Sequence, residues 1–159
     1  MSKEIREMIN KIKFFINENV GPQRVTAYHV SSAVFDKFDT NTIGSNDLHL
    51  KKGKDKHGFF FTKSQWDVDS MVNVHKRYGK PSIVYTCELT FNNPYTLEDF
   101  SKNPVSQFNT SNDGWNIFDR NTETIIEDVF RLNKDAVYFG DFIVVFKPSQ
   151  INIIKIDKT

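Results

Sequence analysis

The sequence predicts an α+β domain with antiparallel or mixed sheets. Three observations lead there. Helical and strand-like segments interleave and the chain then finishes in strands, an order that does not build a continuous βαβ array. Phenylalanine is unusually frequent, at 15 residues, and many of these lie in strand-like runs, which points to an aromatic β core. The chain has 159 residues with no internal repeat and no composition break, so one domain accounts for residues 1–159.

The elements follow in order. Ile5, Met8, Ile9, Ile12, Phe15 and Ile16 recur at helical spacing, so residues 1–21 read as a helix. Ser2 stands where a cap is needed and Gly21-Pro22 where a stop is needed. Its apolar stripe reads first as that of a core-facing helix, with a partner or membrane-surface helix as the alternative. "QRVTAYHVS" reads as a strand. The stretch from Ser32 to Gly58 is polar, contains Gly44 and Gly53, and reads as a turn and a long loop. "GFFFTKS" is a short strand leading into the helix "SQWDVDSMVNVHKRYG", with Ser64 at the N-cap. "SIVYTCELTF" alternates strictly, with Ile83, Tyr85, Cys87, Leu89 and Phe91 on the core side. "NNP" breaks it. Residues 95–120 read as irregular, with a short helix near Leu97–Phe100. "NTETIIEDVFRLN" reads as a helix capped by Asn121 or Thr122, and "DAVYF", "DFIVVFKP" and "INIIKI" as three strands.

Composition excludes several functions. A net charge of +1, from 21 basic and 20 acidic residues, argues against a globally basic nucleic-acid binder. The run "KKGKDK" at Lys51–Lys56 fits either a solvated loop or a local anion-binding patch. The single cysteine, Cys87, permits no intramolecular disulfide or thiolate zinc cluster and fits a reducing, cytoplasmic setting. The four histidines, His29, His49, His57 and His75, share no metal-ligand spacing, so no metal is expected. No secretory leader and no membrane-spanning run is read. Glycine-rich phosphate loops are absent.

Three separated segments form one pattern: "YHVSS" from Tyr28 to Ser32, "GFFFTKS" from Gly58 to Ser64 ahead of a helix, and "GDFIVVFKPSQI" from Gly140 to Ile151. Val84–Leu89 followed by Asn93-Pro94 supplies a fourth part. In order and separation they resemble the ADP-ribosyltransferase superfamily, in its His-Tyr-Glu branch, and within it the small transferase domains of phage polyvalent and toxin-like proteins. The resemblance covers residues 25–154. It implies two facing sheets with a central cleft for NAD as co-substrate and peripheral helices. By the same resemblance His29 bonds a ribose hydroxyl, the backbone of Val30 meets the nicotinamide amide, and Ser31 helps hold the adenosine side. Gly58, Phe60, Thr62 and Ser64 form the second NAD-contacting motif, with Phe60 stacking on the nicotinamide and Ser64 bonding its amide. Met71 stands nearest the second ring-packing position.

The sequence departs from the family at its most consequential position. A glutamate usually opens the late strand, and Phe142 stands there; Asp141, one residue earlier, is the candidate catalytic carboxylate alongside His29. On a regular strand the two point to opposite faces. Glu88 and Glu127 are further carboxylates that the sequence does not rank. The resemblance implies a mono-ADP-ribosyltransferase that releases nicotinamide and modifies a macromolecule, protein or nucleic acid, in a bacterial or host cytosol. The alternative is an inactive NAD- or ADP-ribose-binding or protein-interaction module on the same fold.

Overall fold

The structure, a computed structural model, describes residues 2–19, 22–39 and 58–159. His49, His57, Gly44, Gly53 and the Lys51–Lys56 run lie outside the described residues. The elements are α1 (Lys3–Asn19), β1 (Gln23–Ser31), β2 (Phe59–Thr62), α2 (Gln65–Arg77), β3 (Ile83–Phe91), β4 (Pro94–Thr96), α3 (Leu97–Ser101), α4 (Gly114–Arg120), α5 (Thr122–Arg131), β5 (Ala136–Phe139), β6 (Phe142–Val145) and β7 (Ile151–Lys158), with single 3₁₀ turns at Pro104–Phe108 and Pro148–Gln150. Ser2 and Ser64 cap α1 and α2 as expected: their hydroxyls accept from Ile5 N–H at 3.2 Å and Asp67 N–H at 3.3 Å.

The strands form one seven-stranded sheet in the order β4-β5-β6-β2-β1-β3-β7, not two separate sheets. β4 pairs with β5 in parallel and every other pair is antiparallel. Its distant strands β3 and β5 nevertheless come into contact. β3 and β4 stand five strand spacings apart in that order, about 24 Å in a flat sheet. The chain crosses from Phe91 to Pro94 through Asn92-Asn93 alone, a reach of at most about 11 Å. The sheet must therefore curl back on itself. The Phe91 ring of β3 meets the Tyr138 ring of β5 edge to face at 5.6 Å.

Two hydrogen-bonded clamps close the curl. The Asp135 carboxylate accepts from the backbone N–H of Asn92 and Asn93 at 2.7 and 2.8 Å. Gln150 uses all four of its hydrogen-bonding positions. Its Oε1 accepts from Phe146 and Lys147 N–H, both at 3.0 Å, and its Nε2 donates to Thr90 O at 3.3 Å and Asp135 O at 2.8 Å. One amide thus ties the end of β3, the start of β5 and the link between β6 and β7.

Alternation sorts the core onto two faces. The inner face of the curl gathers Ala27, Phe59, Phe61, Ile143, Val145 and the odd residues of β3. Tyr85 is fully buried there, and its hydroxyl donates to Ala33 O and accepts from Phe35 N–H, which holds the chain after β1 against the sheet. The outer face of β5 and β6 buries Val137, Phe139, Phe142 and Val144 against Ile117 and Phe118 of α4 and Ile125 and Val129 of α5. On that side Asp128 is buried and accepts from Tyr95 Oη–H, Asn103 and Arg131 at 2.7, 2.9 and 2.9 Å. Burial pushes its carboxyl up, and these three donors together outweigh that and hold it below the ordinary carboxylate value.

The stretch read as irregular carries α4. Asp113 caps it, its carboxylate accepting from Trp115 N–H at 2.9 Å. The side chains expected to cap α5 serve α4 instead: Asn121 donates to Ile117 O and Thr122 to Phe118 O. These carbonyls end a short helix that runs directly into α5, so the two side chains finish the first helix rather than start the second.

Candidate functional site

The site begins where the sheet parts. β1 and β2 share the single rung Tyr28–Thr62, whereas β1 pairs with β3 along nine residues. Past that rung the two strands diverge. Across the gap His29 Nδ1 lies 2.8 Å from Phe60 O. A carbonyl only accepts, so Nδ1 carries a proton and donates it to this bond.

The gap opens into a cleft of about 720 Å³, within the range of small-molecule sites. Five parts of the chain line it, one of them Leu97 at the start of α3. β1 supplies Tyr28, His29 and Val30. β2 and the first turns of α2 supply Phe60, Thr62, Ser64, Trp66, Asp67 and Met71. The start of α4 supplies Asn112, Asp113 and Trp115. The β5–β6 hairpin supplies Phe139 to Phe142.

Each part is held for a local reason. Thr62 is buried, its hydroxyl donates to the Asp67 carboxylate at 2.7 Å, and its oxygen accepts from Ser64 N–H at 3.0 Å, which fixes the strand-to-helix corner. Gly140 takes φ +62° at the first position of a two-residue hairpin loop, the conformation such loops require. Asp141 is the exposed second residue of that loop, and its backbone oxygen accepts from Lys63 N–H at 2.9 Å. Gly114 admits no side chain: a Cβ there would lie 2.3 Å from Phe139 O. That close approach sets α4 on the end of β5 and delivers Trp115 to the cleft.

The floor is aromatic. Phe60 contacts Trp115 and Phe118, each at 5.7 Å between centroids, and Phe142 at 6.0 Å. Trp115 and Phe142 stand 5.4 Å apart. Phe142 is therefore a packed member of this cluster, while Asp141 sits at the hairpin tip beside it.

His29, Val30, Phe60, Thr62, Ser64, Met71 and Asp141 all lie on this one cleft. Ser31 and Gly58 do not line it. Ser31 is buried on the inner face, and its hydroxyl accepts from Ala33 N–H at 3.1 Å in the turn after β1. Gly58 has φ +121° and packs against β6, where a Cβ would meet Val144 at 2.6 Å. His29 belongs to two neighbourhoods, since its ring also lies 5.2 to 6.3 Å from Phe35, Phe38, Phe61 and Tyr85. Glu88 and Glu127 are not on the cleft. Trp66, Asp67, Asp113 and Trp115 are, and the sequence reading passed over them.

No family model and no curated protein matches the chain. Among solved structures, the fold is similar to that of a chain in the crystal structure of the M. tuberculosis MbcT–MbcA toxin–antitoxin complex. The likeness covers 90% of this chain and 89% of that one, with a TM-score of 0.51 and 12% sequence identity. At that identity it concerns the fold alone. Among the described residues, no helix is long and apolar enough to cross a membrane.

Proposed function

We propose that the protein consumes NAD as a mono-ADP-ribosyltransferase, breaking the bond between nicotinamide and ribose and passing ADP-ribose to a macromolecule. The observation that carries this reading is convergence. Seven residues taken from segments between His29 and Asp141, singled out by a resemblance in sequence order, line one cleft at the parting of β1 and β2. Its volume suits a nucleotide-type ligand.

The chemistry asked of the residues is mostly positioning. The Phe60 carbonyl holds the His29 ring through Nδ1–H and so orients it at the cleft toward a ribose hydroxyl. Phe60 and Trp115 give the nicotinamide ring an apolar aromatic wall. As the glycosidic bond breaks, positive charge grows on the ribose, as in glycoside hydrolysis, and a nearby carboxylate stabilises it electrostatically. Asp141 takes that role in place of the usual glutamate. The fold likeness to a chain of a toxin–antitoxin complex fits a toxin with a protein antitoxin as partner; its action on NAD in the cytosol rests on the resemblance in sequence.

A second reading has its own support. Phe142 occupies the glutamate position and is packed among Phe60, Trp115 and Phe118. A cleft that keeps its aromatic floor without that glutamate suits a binding module for NAD or ADP-ribose.

Incubation with labelled NAD and a cell lysate separates the two. Transfer of label that is lost in Asp141→Ala and kept in Glu88→Ala supports the transferase. Saturable NAD binding lost in His29→Ala, with no nicotinamide released, supports the binding module. No binding by the folded protein refutes both.

A further inference from the structure

We propose that Asp67 is a second substrate-touching carboxylate of the cleft: held in place by Thr62, it accepts a hydrogen bond from a hydroxyl of the nicotinamide ribose. This rests on the reading of the cleft as an NAD site and deepens it.

Asp67 reaches the cleft from the first turn of α2 and is half-buried, whereas Asp141 is exposed at the hairpin tip. One of its oxygens is already engaged. Thr62 is 4% exposed, and its oxygen accepts from Ser64 N–H at 3.0 Å, so its own proton goes to Asp67 Oδ2, 2.7 Å away. The Asp67 N–H donates to the Ser64 hydroxyl at 3.3 Å, which fixes the backbone that carries the carboxylate. The other oxygen, Oδ1, has no hydrogen-bond partner among the described residues. A carboxylate oxygen takes about two hydrogen bonds, so Asp67 keeps accepting capacity on the cleft lining. Tying the strand to the helix accounts for Oδ2 alone.

The position sets which part of the substrate Asp67 meets. Thr62 is paired with Phe142 across β2 and β6. Directly paired residues share a face, with Cβ atoms about 4.5–5.5 Å apart. Phe60, two residues back along β2, lies on that same face and contacts Phe142. Thr62 therefore holds the Asp67 carboxylate beside the aromatic floor. Phe60 and Trp115 wall the nicotinamide in the reading above, so the ribose bonded to that ring lies next to them. β6 brings a phenyl ring to this point, and α2 brings the negative charge. That charge meets the cationic end of NAD, the pyridinium and its ribose, and makes no demand on the pyrophosphate. Partial burial strengthens it relative to the same carboxylate in water. Asp67 is then the residue that touches substrate, and Thr62 is its positioning residue.

The test compares NAD with an analogue that lacks both hydroxyls on the nicotinamide ribose. Each is mixed rapidly with the folded protein, and binding is read by quenching of the cleft tryptophans before turnover. The wild type should prefer NAD. In Asp67→Ala that preference should fall about tenfold, the worth of a hydrogen bond to a charged group. In Thr62→Val it should fall about threefold, because the carboxylate remains but is no longer held, and Thr62→Ser should restore it. Should Asp67→Ala fail to fold, Asp67→Asn keeps the shape without the charge and should lose at least threefold. A carboxylate with only a structural role would weaken NAD and the analogue alike and leave the ratio unmoved. An unmoved ratio in a folded Asp67 variant or in Thr62→Val, or equal binding of the two compounds by the wild type, overturns the proposal while NAD binding itself stands. Binding of neither compound by the folded wild type refutes the NAD reading and this inference with it.

Discussion

Gln150 offers the most direct test of how the curled sheet is held. Replacing it with alanine removes two acceptor and two donor contacts at once, to Phe146, Lys147, Thr90 and Asp135. A net hydrogen bond is worth about 0.5–1.5 kcal/mol. The four do not count equally, because the Lys147 N–H is exposed and water replaces its partner, whereas the other three contacts are partly buried. A loss of about 3 kcal/mol follows. In a domain of this length that lowers Tm by about 6–12 °C. Gln150→Glu sharpens the test. It keeps an acceptor for the two N–H groups but turns a charged oxygen toward two carbonyl oxygens, so it should cost at least as much as alanine at neutral pH. Urea unfolding and a thermal melt of wild type and both variants give the numbers, with Lys147→Ala as a surface control. If both Gln150 variants lie within about 1 kcal/mol of wild type, the clamp is not what closes the curl.

Three other outcomes follow from the same structure. Asp128 is held below the ordinary carboxylate value, so its contribution to stability is complete above about pH 4 and is lost as pH falls through its lowered folded value; in Asp128→Asn, urea midpoints should lose part of their acid dependence in that window, and an unchanged profile would contradict the network. Cys87 is fully buried and its thiol is pushed up to about 12 by burial, so a thiol reagent at neutral pH should label it only as fast as the protein opens, and rapid labelling of the native protein would place the residue elsewhere. Gly114→Ala puts a methyl group against Phe139 O and should cost about 1–3 kcal/mol while moving Trp115, read as a red or blue shift of its emission; a neutral substitution would refute the close approach.

How much of this was legible in the chain differs by feature. β3 was plain, because both of its faces follow a strict two-residue period: the odd residues are all buried and the even ones are not. The strands of the C-terminal region were legible too, since "DAVYF" and "DFIVVF" pack both faces and read as apolar runs. Strand order was not, because periodicity says which face a residue takes and nothing about which strand lies beside it. The two facing sheets were expected from the resemblance alone, where one sheet curls, and the Asn92-Asn93 link that forces the curl looked only like a strand breaker. α4 was hidden by its length: seven residues give too few turns for a helical period to show, and its anchor is one tight glycine contact with Phe139. The site was half legible. Seven of the residues named from the resemblance share a cleft, Ser31 and Gly58 do not, and Trp66 and Trp115 enter it through tertiary packing. Asp141 is the exposed second residue of the hairpin loop and lies on the cleft lining, while the Phe142 ring joins the floor.

The central claim is that this cleft takes NAD, and the chain carries its own reporter. It has two tryptophans, Trp66 and Trp115, and both line the cleft. Titration of the folded protein with NAD, followed by intrinsic fluorescence, should give a saturable change. That change should persist in Trp66→Phe, where Trp115 reports alone, and weaken by tenfold or more in Phe60→Ala, about the loss of one aromatic wall. A response that never saturates, or one that Phe60→Ala leaves untouched in a protein whose melt shows it folded, would contradict the claim.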